Sequence, residues 1–330
     1  MPAVSATPAL SPPDAIAIIM VTFQNAGEIA DCLRSLIAAE PERRINLIVI
    51  DNASTDGTRR RIHATVQDLP PGRFGIELIR NENNLGFTRA VNQGLALYFT
   101  LPAHDGMPLL FLNPDTILPP GSLAGLLEKL YAFPGVGVIA PQLVHRDGQI
   151  QLSCRRFPAH WDLFCELSGL SRLFPNSPKL NRWKMGDFDH RRAAEVDQPQ
   201  GACLLARPEV IRQIGSWDER LPIFFSDVDW CKCVRESGWK IRFEPSVQII
   251  HTQGASVRQV RAAAIWSSHV SFWRYLRKHE SGWREKFLNF FFGPLLVVAA
   301  CIRMIPYSIS ALIVNSAQKR MGKFKSGISP

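Results

Sequence analysis

Four short apolar segments, each followed at once by a polar cluster, constrain the fold of this chain more than any other feature. The segments are AIAIIMVTF from residue 15, INLIVI (45–50), GIELIR (75–80) and PLLFLN (108–113). Their apolar and β-branched residues predict four strands, of which the first two are fully buried, and the stretches between them show helical spacing over 27–40, 58–67 and 88–99. Strands and helices that alternate through short links are typical of a parallel sheet with helices on both faces. We therefore predict an α/β fold with a Rossmann-like, mostly parallel sheet.

The polar clusters that follow these strands predict a ligand site along one edge of the sheet. They read TFQN, DNASTDGT, NENNLGF and NPDT. In an open parallel sheet the carboxyl ends of the strands lie at the same edge, and ligands bind there. Polar residues after all four strands are consistent with this arrangement.

Two of these clusters offer groups that suit a nucleotide. Asp51 and Asn52 directly follow a buried strand and could accept hydrogen bonds from a pyrimidine or from ribose hydroxyls. The alternative is helix capping, for which the polar residues at 54–56 are sufficient. Gly86 would let the backbone approach a ligand closely, but it could equally be an ordinary start of a helix.

Asp115 and His251 are candidates for a metal site. A hard divalent cation needs one or two carboxylates together with substrate phosphates, and Asp115 could supply one of them. Taken alone, an aspartate in NPDT is more often a turn former. His251 ends a predicted strand, where a neutral imidazole could ligate a metal held by Asp115 or be an ordinary polar strand end.

The segment FFSDVDW places Asp227 and Asp229 at the start of a predicted helix. Aspartates at this position commonly cap the helix and complement its dipole. The functional interpretation makes one of them a general base, which requires a substrate hydroxyl within hydrogen-bond distance.

The second half of the chain is less regular. Residues 155–198 show no clear period and predict an irregular insertion over the edge of the sheet. Beyond it the pattern predicts strands at 201–207 and 239–251 and helices at 208–214, 226–238 and 258–279.

The apolar segments 287–302 and 304–314 predict contact with a membrane. The first has sixteen residues, fewer than the roughly 20 needed to span a bilayer, and Pro294, Arg303 and Pro306 interrupt the pair. We therefore favour a surface or re-entrant anchor over a clean span. The alternative is a buried pair of C-terminal helices.

The charge, the cysteines and the N-terminus narrow the class of protein. The net charge of +9 could serve nucleic acid, an anionic membrane or phosphorylated substrates. The basic residues are not interleaved with aromatic ones, so we predict no nucleic acid partner. Seven scattered cysteines without zinc-site spacing indicate free thiols in a reducing compartment. Residues 1–14 lack a basic and an apolar region, and we expect a flexible leader.

The order of motifs over about residues 15–280 resembles that of the family 2 glycosyltransferases, and within them the rhamnosyltransferase-like branch of bacterial surface polysaccharide synthesis. The motifs are V-T-F, D-N-A-S-T-D-G-T, N-L-G-F, N-P-D, G-A, G-x-W-D-E-R with S-D-V-D, and H-x-x-G-A-S. Each is loose on its own, and the resemblance depends on the whole set in this order.

The resemblance implies a GT-A fold and a role for each matching residue. It implies that Asp227 is the catalytic base and that Asp115 and His251 bind Mn²⁺ or Mg²⁺. Ser226 stands where the family has an acidic residue, and Asn113 stands at the first position of the D-x-D-type element. The implied donor-binding residues are Thr22, Phe23, Asp51, Asn52, Gly86, Phe87, Asn113 and Asp115. The implied acceptor-side residues are Trp217, Asp218 and Asp229.

The resemblance also implies the domain organisation. It implies a catalytic domain (15–257), and the sequence pattern itself predicts a leader (1–14) before it and C-terminal helices (258–330) after it, with a possible membrane-associating segment (287–314). Within the catalytic domain we expect a nucleotide-sugar half (15–120) and an acceptor half (121–257) that carries the insertion 155–198.

The implied reaction is transfer of a sugar, with rhamnose favoured, from a dTDP- or UDP-sugar to a hydroxyl, with inversion. The acceptor would be a glycan or a polyprenyl-linked glycolipid at the cytoplasmic face of the inner membrane. Two alternatives come from other classes of protein. One is a catalytically silent nucleotide-sugar-binding protein on the same fold. The other is a nucleotidyltransferase, although its G-x-G-x-R loop is missing after the first strand, where this chain has TFQNAGE.

Overall fold

The computed structural model describes residues 12–252 and 261–325, with the backbone alone for 261–264 and 305–325. Most of the predicted leader, and the GAS motif at 254–256, therefore lie outside the described residues. The predicted α/β architecture is confirmed: a curled, mostly parallel sheet is covered by helices on both faces.

The first half of the chain alternates strands and helices as predicted. Its elements are β1 (Ala15–Thr22), α1 (Ile29–Ala39), β2 (Arg44–Asp51), α2 (Thr58–Gln67), β3 (Phe74–Arg80), α3 (Phe87–Thr100), β4 (Leu109–Leu112), β5 (Thr116–Ile117), α4 (Ser122–Ala132) and β6 (Val136–Val144).

The second half contains several very short strands and ends in two long helices. Its elements are β7 (Cys154–Arg155), α5 (His160–Leu167), α6 (Leu170–Leu173), β8 (Ala194–Glu195), β9 (Gln198–Pro199), β10 (Cys203–Ala206), α7 (Pro208–Ile214), α8 (Ser226–Glu236), β11 (Lys240–His251), α9 (Arg261–His279) and α10 (Trp283–Lys325). The insertion 155–198 is irregular apart from α5, α6 and two-residue strands.

The sheet has the order β3-β2-β1-β4-β10-β6-β11-β5, with β8 beside β11. Strand β10 is antiparallel to both of its neighbours, and β5 is antiparallel to β11. The other strands on this path run parallel to one another, so their carboxyl ends lie at one edge. The two predicted halves share this sheet, because β4 and β5 from the first half pair with β10 and β11 from the second.

Two hydrophobic layers, one on each face, hold the sheet. Helices α1, α2 and α4 cover one face, and α3, α7 and α8 cover the other. Alternate residues of β1 enter the two layers: Ile16, Ile18 and Met20 face the first, and Ala17 and Ile19 face the second. A strand buried on both faces needs apolar residues at every position, which explains the continuous apolar segments of the sequence.

A third hydrophobic cluster joins the two C-terminal helices to the catalytic domain at the start of α8. It contains Leu163 of α5, Tyr275 of α9 and Leu296 of α10, packed against Phe225 and Val228 at the start of α8. The insertion and the C-terminal helices therefore meet beside the same helix start.

Helix α10 is continuous through Pro294 and Pro306, which we expected to interrupt it. A proline removes one backbone hydrogen bond, and the helix continues on both sides of each. The segment Trp283–Met304, of 22 residues, is long and apolar enough to cross a membrane by length and composition, and 17% of its most apolar stretch is buried. This low burial argues against the alternative of a buried helix pair.

Candidate active site

A cavity of about 460 Å³ lies at the carboxyl edge of the sheet. Strand ends from both halves of the chain and the start of α8 form its wall. The sequence-predicted residues that line it are Phe23, Asn52, Gly86, Phe87, Asn113, Asp115, Asp227 and His251. The cavity therefore brings the predicted base and the predicted metal ligands into one place.

Asp115 and His251 meet through the pairing of two strands. Residues His251 and Thr116 are partners in the antiparallel β5–β11 pair. The backbone N–H of Thr252 donates to the carbonyl of Asp115 at 2.9 Å. The Nε2 atom of His251 then lies 3.4 Å from Oδ1 of Asp115, and both side chains are buried.

This pair fits a divalent cation. A carboxylate oxygen and an imidazole nitrogen that face each other in a largely buried wall are a donor set that Mn²⁺ accepts, and Mg²⁺ binds through one or two carboxylates and substrate phosphates. Asn113 adjoins the pair, and its backbone N–H donates to the carbonyl of Ala202 at 2.9 Å. The NPD loop is thus tied to the turn that contacts Asp227.

Asp227 is the second residue of α8, and backbone amides hold its carboxylate. Oδ2 accepts hydrogen bonds from the N–H of Gly201 at 3.0 Å and from Nε2 of Gln198 at 3.1 Å. Oδ1 accepts one from the N–H of Val228 at 2.9 Å. Burial nevertheless raises the pKa of Asp227 above its ordinary value, because it penalises the charged form more than these donors favour it. A carboxylate with a raised pKa that lines a cavity has the properties of a general base.

The backbone before Asp227 is in a rare conformation. Phe225 has φ of 64°, in the left-handed region that bulky residues seldom adopt. Its ring stacks on Phe272 of α9 with centroids 4.6 Å apart, so the third cluster holds this conformation. The hydroxyl of Ser226 donates to the carbonyl of Ile223 at 3.2 Å, so it stabilises the turn that leads into the helix. Non-glycine residues held at positive φ cluster at functional sites.

Asn52 lines the cavity, but its amide is fully engaged in holding the loop at 81–86. Its oxygen accepts from the side chain of Asn81 and the N–H of Leu85, and its nitrogen donates to Asn84 and to the carbonyl of Gly86. An asparagine amide has two donor hydrogens and two acceptor lone pairs, so these four contacts use its full hydrogen-bonding capacity. The structure thus assigns it a role in fixing the loop, and donor binding by Asn52 stays a prediction.

Thr22 and Asp51 lie behind the wall of the cavity. Both are fully buried, and the hydroxyl of Thr22 donates to Oδ1 of Asp51 at 3.3 Å. Asp51 also accepts from the N–H of Ser54 at 3.3 Å and forms an ion pair with Arg59. Their direct contact with a donor stays a prediction.

Gly86 is at a position that only glycine accommodates easily. Its φ is +85°, and a Cβ there would lie 3.2 Å from the carbonyl oxygen of Pro222. The neighbouring Phe87 lines the cavity, and its ring meets the edge of Trp217 at 6.0 Å.

The three predicted acceptor-side residues do not line the cavity. Trp217 is buried and stacks on Trp230 with centroids 5.6 Å apart. Hydrogen bonds from Arg220 hold the pKa of Asp218 well below its usual range. An acceptor role for these residues stays a prediction.

Asp229 of α8 and Asp218, in the segment before α8, pair with charged side chains of α9. Asp229 accepts from Nζ of Lys278 at 2.8 Å and contacts Nε2 of His279 at 2.7 Å, and Lys278 also reaches Asp218 at 3.1 Å. Asp229, Cys233 and His279 could by distance hold a metal ion. The ammonium group of Lys278 already supplies the positive charge there, so the cluster is best described as an ion-pair network.

Arg155 is a functional candidate that no sequence motif pointed to. It is paired with Gln198 in the β7–β9 ladder, and the side chain of Gln198 contacts Asp227. The Arg155 guanidinium donates to the carbonyls of Leu152 and Cys154, and among the described residues no carboxylate oxygen lies within 4.0 Å of it. Burial lowers its pKa, and Glu166 and Asp227 are among the charges that act on it.

The comparisons with known proteins concern the family and the fold. The model of glycosyl transferase family 2 matches residues 17–178. N-acetylglucosaminyl-diphospho-decaprenol L-rhamnosyltransferase from Mycobacterium tuberculosis is 28% identical over 279 residues, which cover 82% of this chain and 86% of that protein. The predicted family is thereby confirmed.

Two solved structures share the fold. The mannosyltransferase PcManGT from Pyrobaculum calidifontis, in complex with GDP-Man and Mn²⁺, has a TM-score of 0.55 at 16% identity, covering 97% of this chain and 84% of that chain. GalNAc-T7 with UDP, GalNAc and Mn²⁺ has a TM-score of 0.51 at 14% identity, covering 72% of this chain and 43% of that chain. These similarities confirm the GT-A fold.

Proposed function

Because this chain belongs to glycosyltransferase family 2, we propose that it transfers a sugar from a nucleoside diphosphate to a hydroxyl of a lipid-linked glycan, with inversion. One observation carries the proposal. A single cavity contains a carboxylate with a raised pKa, Asp227, and a separate pair of metal ligands, Asp115 and His251. Single-displacement transfer needs these two functions and no covalent protein nucleophile.

The donor occupies the side of the cavity formed by the first-half strands. Phe23, Phe87 and Asn113 line this side and offer aromatic surface and an amide to the nucleotide sugar. Asp115 and His251 would hold Mn²⁺ or Mg²⁺, which would neutralise the charge that grows on the leaving diphosphate. The name of the mycobacterial relative favours rhamnose as the sugar. For the nucleotide we propose dTDP or UDP, as the family resemblance implies.

Asp227 removes the proton from the acceptor hydroxyl. As the acceptor oxygen forms its bond to the anomeric carbon, the bond from that carbon to the diphosphate oxygen breaks. The proton moves to Asp227, and the electron pair leaves with the nucleoside diphosphate. Attack from the face opposite the leaving group inverts the anomeric centre. The amides of Gly201 and Val228 fix the direction of the carboxylate during this step.

Arg155 provides a positive charge on the acceptor side. The named acceptor of the mycobacterial relative carries a diphosphate between the sugar and the lipid. A guanidinium without a carboxylate partner among the described residues, adjacent to the residue that contacts the base, suits such a diphosphate.

Helix α10 carries the chain to the cytoplasmic face of the inner membrane. Within the described side chains, the inward stripe is Asn289, Leu296 and Ala300, and the opposite face exposes apolar residues. The exposed set is Trp283, Phe287, Leu288, Phe290, Phe291, Leu295, Val297, Val298 and Ile302. An apolar face of this width, flanked by basic residues at 284, 286 and 303, suits an anionic membrane.

Membrane binding is tested by flotation with vesicles that contain phosphatidylglycerol. Replacing Phe290 by serine should reduce the bound fraction, because the side chain is 75% exposed on the proposed lipid-facing side. Phe99→Ser, an exposed phenylalanine at the far end of α3, is the matched control. Equal binding of both variants and the wild type would refute the membrane role of α10.

The reaction is tested with purified protein, Mn²⁺ or Mg²⁺ and a panel of nucleotide sugars, with and without extracted membrane lipid. The expected result is release of UDP or dTDP and a product with inverted anomeric configuration by NMR. Failure to release a nucleoside diphosphate from any donor would refute the proposal. Asp227→Asn should abolish transfer and retain donor binding, whereas Asp187→Asn, in an exposed ion pair with Arg156, should retain both.

A further inference from the structure

Gln151 makes a set of buried hydrogen bonds to His251 that the reaction described above does not use. We propose that Gln151 is a positioning residue, which fixes the ring orientation and the tautomer of His251 so that Nε2 is ready to bind the metal. This inference rests on the proposed function, because it gives the metal-binding role of His251 a physical basis. Nothing in the sequence pattern selected Gln151.

A hairpin places Gln151 next to the end of β11. The chain turns at His145–Gly148 after β6 and returns beside it, with the N–H of Gln151 donating to the carbonyl of Leu143 at 2.8 Å. Strand β11 lies on the other side of β6, and Ile250 is paired with Val144. The side chain of Gln151 therefore reaches across the end of β6 to His251, and it is buried.

The amide orientation of Gln151 follows from one contact. Its Nε2 atom lies 2.6 Å from the backbone carbonyl oxygen of His251. A carbonyl oxygen can only accept a hydrogen bond, so the amide nitrogen must face it. The reversed orientation would place two acceptor oxygens against each other at that distance. The second amide hydrogen faces Nδ1 of His145 at 3.1 Å.

The orientation of the amide determines the tautomer of His251. With the nitrogen fixed, Oε1 of Gln151 faces Nδ1 of His251 at 3.1 Å. Because Oε1 can only accept, Nδ1 must carry the hydrogen. In the neutral ring the lone pair is then on Nε2, the atom 3.4 Å from Oδ1 of Asp115.

Two acceptors that face each other in a buried wall favour a positive group in contact with both, which is a bound metal ion or, in its absence, a proton. The lone pair on Nε2 and the carboxylate of Asp115 provide this arrangement. Metal-binding histidines generally donate their other ring N–H to an oxygen, and loss of that partner typically weakens metal binding by about 10- to 100-fold. Gln151 occupies this position for His251.

Removal of the amide gives the first test. Gln151→Met keeps a side chain of similar length. It removes both hydrogen bonds of the amide to His251 and the contact with Nδ1 of His145. Its control is Gln149→Met, the same chemical change two residues earlier in the hairpin, at an exposed position. Mn²⁺ binding is measured in the presence of UDP or dTDP from the electron paramagnetic resonance signal of free Mn²⁺. We expect Gln151→Met to raise the Kd for Mn²⁺ by about 10- to 100-fold, and Gln149→Met to leave it unchanged.

The tautomer gives a second test that does not depend on the variant folding. Long-range ¹H–¹⁵N spectra of the metal-free wild-type protein, with His251 assigned from a His251→Asn sample, should show hydrogen on Nδ1. Gln151→Met should shift the ring towards hydrogen on Nε2. A residue that served only as structural support for the hairpin would lower the Tm without changing the tautomer.

The outcomes separate this inference from the proposed function. Absence of hydrogen from Nδ1 of His251 in the wild-type protein, or an unchanged Kd for Mn²⁺ in Gln151→Met, would overturn the role of Gln151 and leave glycosyl transfer untouched. Failure to cleave any donor, with tight Mn²⁺ binding that depends on Gln151, would refute the function and support the role of Gln151.

Discussion

Gly201 is the position where the smallest change should have the clearest effect on catalysis. Its N–H donates to Oδ2 of Asp227 at 3.0 Å. A Cβ added to Gly201 would lie 3.0 Å from Cβ of Asp227 and 3.2 Å from Oδ2. Carbon atoms in contact are normally about 3.5–4.0 Å apart, so the aspartate must move by a few tenths of an ångström in Gly201→Ala, and by about 0.5 Å if the normal contact distance is restored in full.

A displacement of this size is large for a general base. Catalytic groups need to be held within about 0.5 Å of their productive position, and a misplacement near 1 Å can cost about 100-fold in rate. We expect Gly201→Ala to lower kcat by about 10- to 100-fold, which corresponds to about 1.4–2.8 kcal/mol in the barrier. Donor affinity should change less than kcat, because the added Cβ meets Asp227 and not Asp115 or His251, although the neighbouring Ala202 accepts the N–H of Asn113.

The assay compares steady-state release of the nucleoside diphosphate with donor binding by calorimetry. The control is Gly135→Ala, where the added Cβ would meet Lys240 at an ordinary 3.8 Å. Wild-type kcat in Gly201→Ala would refute the argument that this contact positions the base. An equal loss in Gly135→Ala would show that the effect is a general consequence of replacing glycine.

Three further predictions concern pH, acceptor binding and stability. Because burial raises the pKa of Asp227, kcat/KM should fall with decreasing pH around a pKa above that of an ordinary aspartate. The folded protein should lose stability as pH rises from the ordinary aspartate pKa to this raised pKa, because the buried carboxyl must then ionise. A pH titration of rate and Tm, with Asp227→Asn as reference, checks both signs. Arg155→Gln should raise KM by about 10-fold or more for a lipid-diphosphate acceptor and leave KM for an alkyl glycoside of the same sugar unchanged. The control Arg156→Gln should change neither KM. An equal change of KM for the lipid-diphosphate acceptor and the alkyl glycoside would exclude a diphosphate contact. Lys278→Met should lower the free energy of unfolding by about 1–3 kcal/mol because it removes a cation from a buried carboxylate, and Lys240→Met, in an exposed pair, should cost less than about 1 kcal/mol by denaturant titration.

The apolar pattern determined the fold class and the edge of the sheet where the site lies. Continuous apolar strands such as 45–50 occur where both faces are covered, and polar residues at their carboxyl ends follow from the position of ligands in such sheets. The position of Asp115 at the end of β4 and of Asp227 at the start of α8 could therefore be predicted from local sequence. The continuity of α10 through Pro294 could not, because a proline weakens a helix without necessarily ending it.

The contacts between distant segments were decided by the tertiary structure. The pairing of β5 with β11 brings His251 to Asp115, and the β7–β9 ladder brings Arg155 beside the residue that contacts Asp227. Donor binding by Asn52 stays a prediction, and only the structure shows that its amide also holds the loop at 81–86.

The sequence by itself thus determined which residues are chemically able to act and at which edge of the sheet they gather. Periodicity reports how a residue is oriented within its own strand or helix. It carries no information about which group from another segment will satisfy a given donor or acceptor. Gln151 shows the difference, because its sequence context is unremarkable and its role comes entirely from the two atoms of His251 that the folded chain places against its amide.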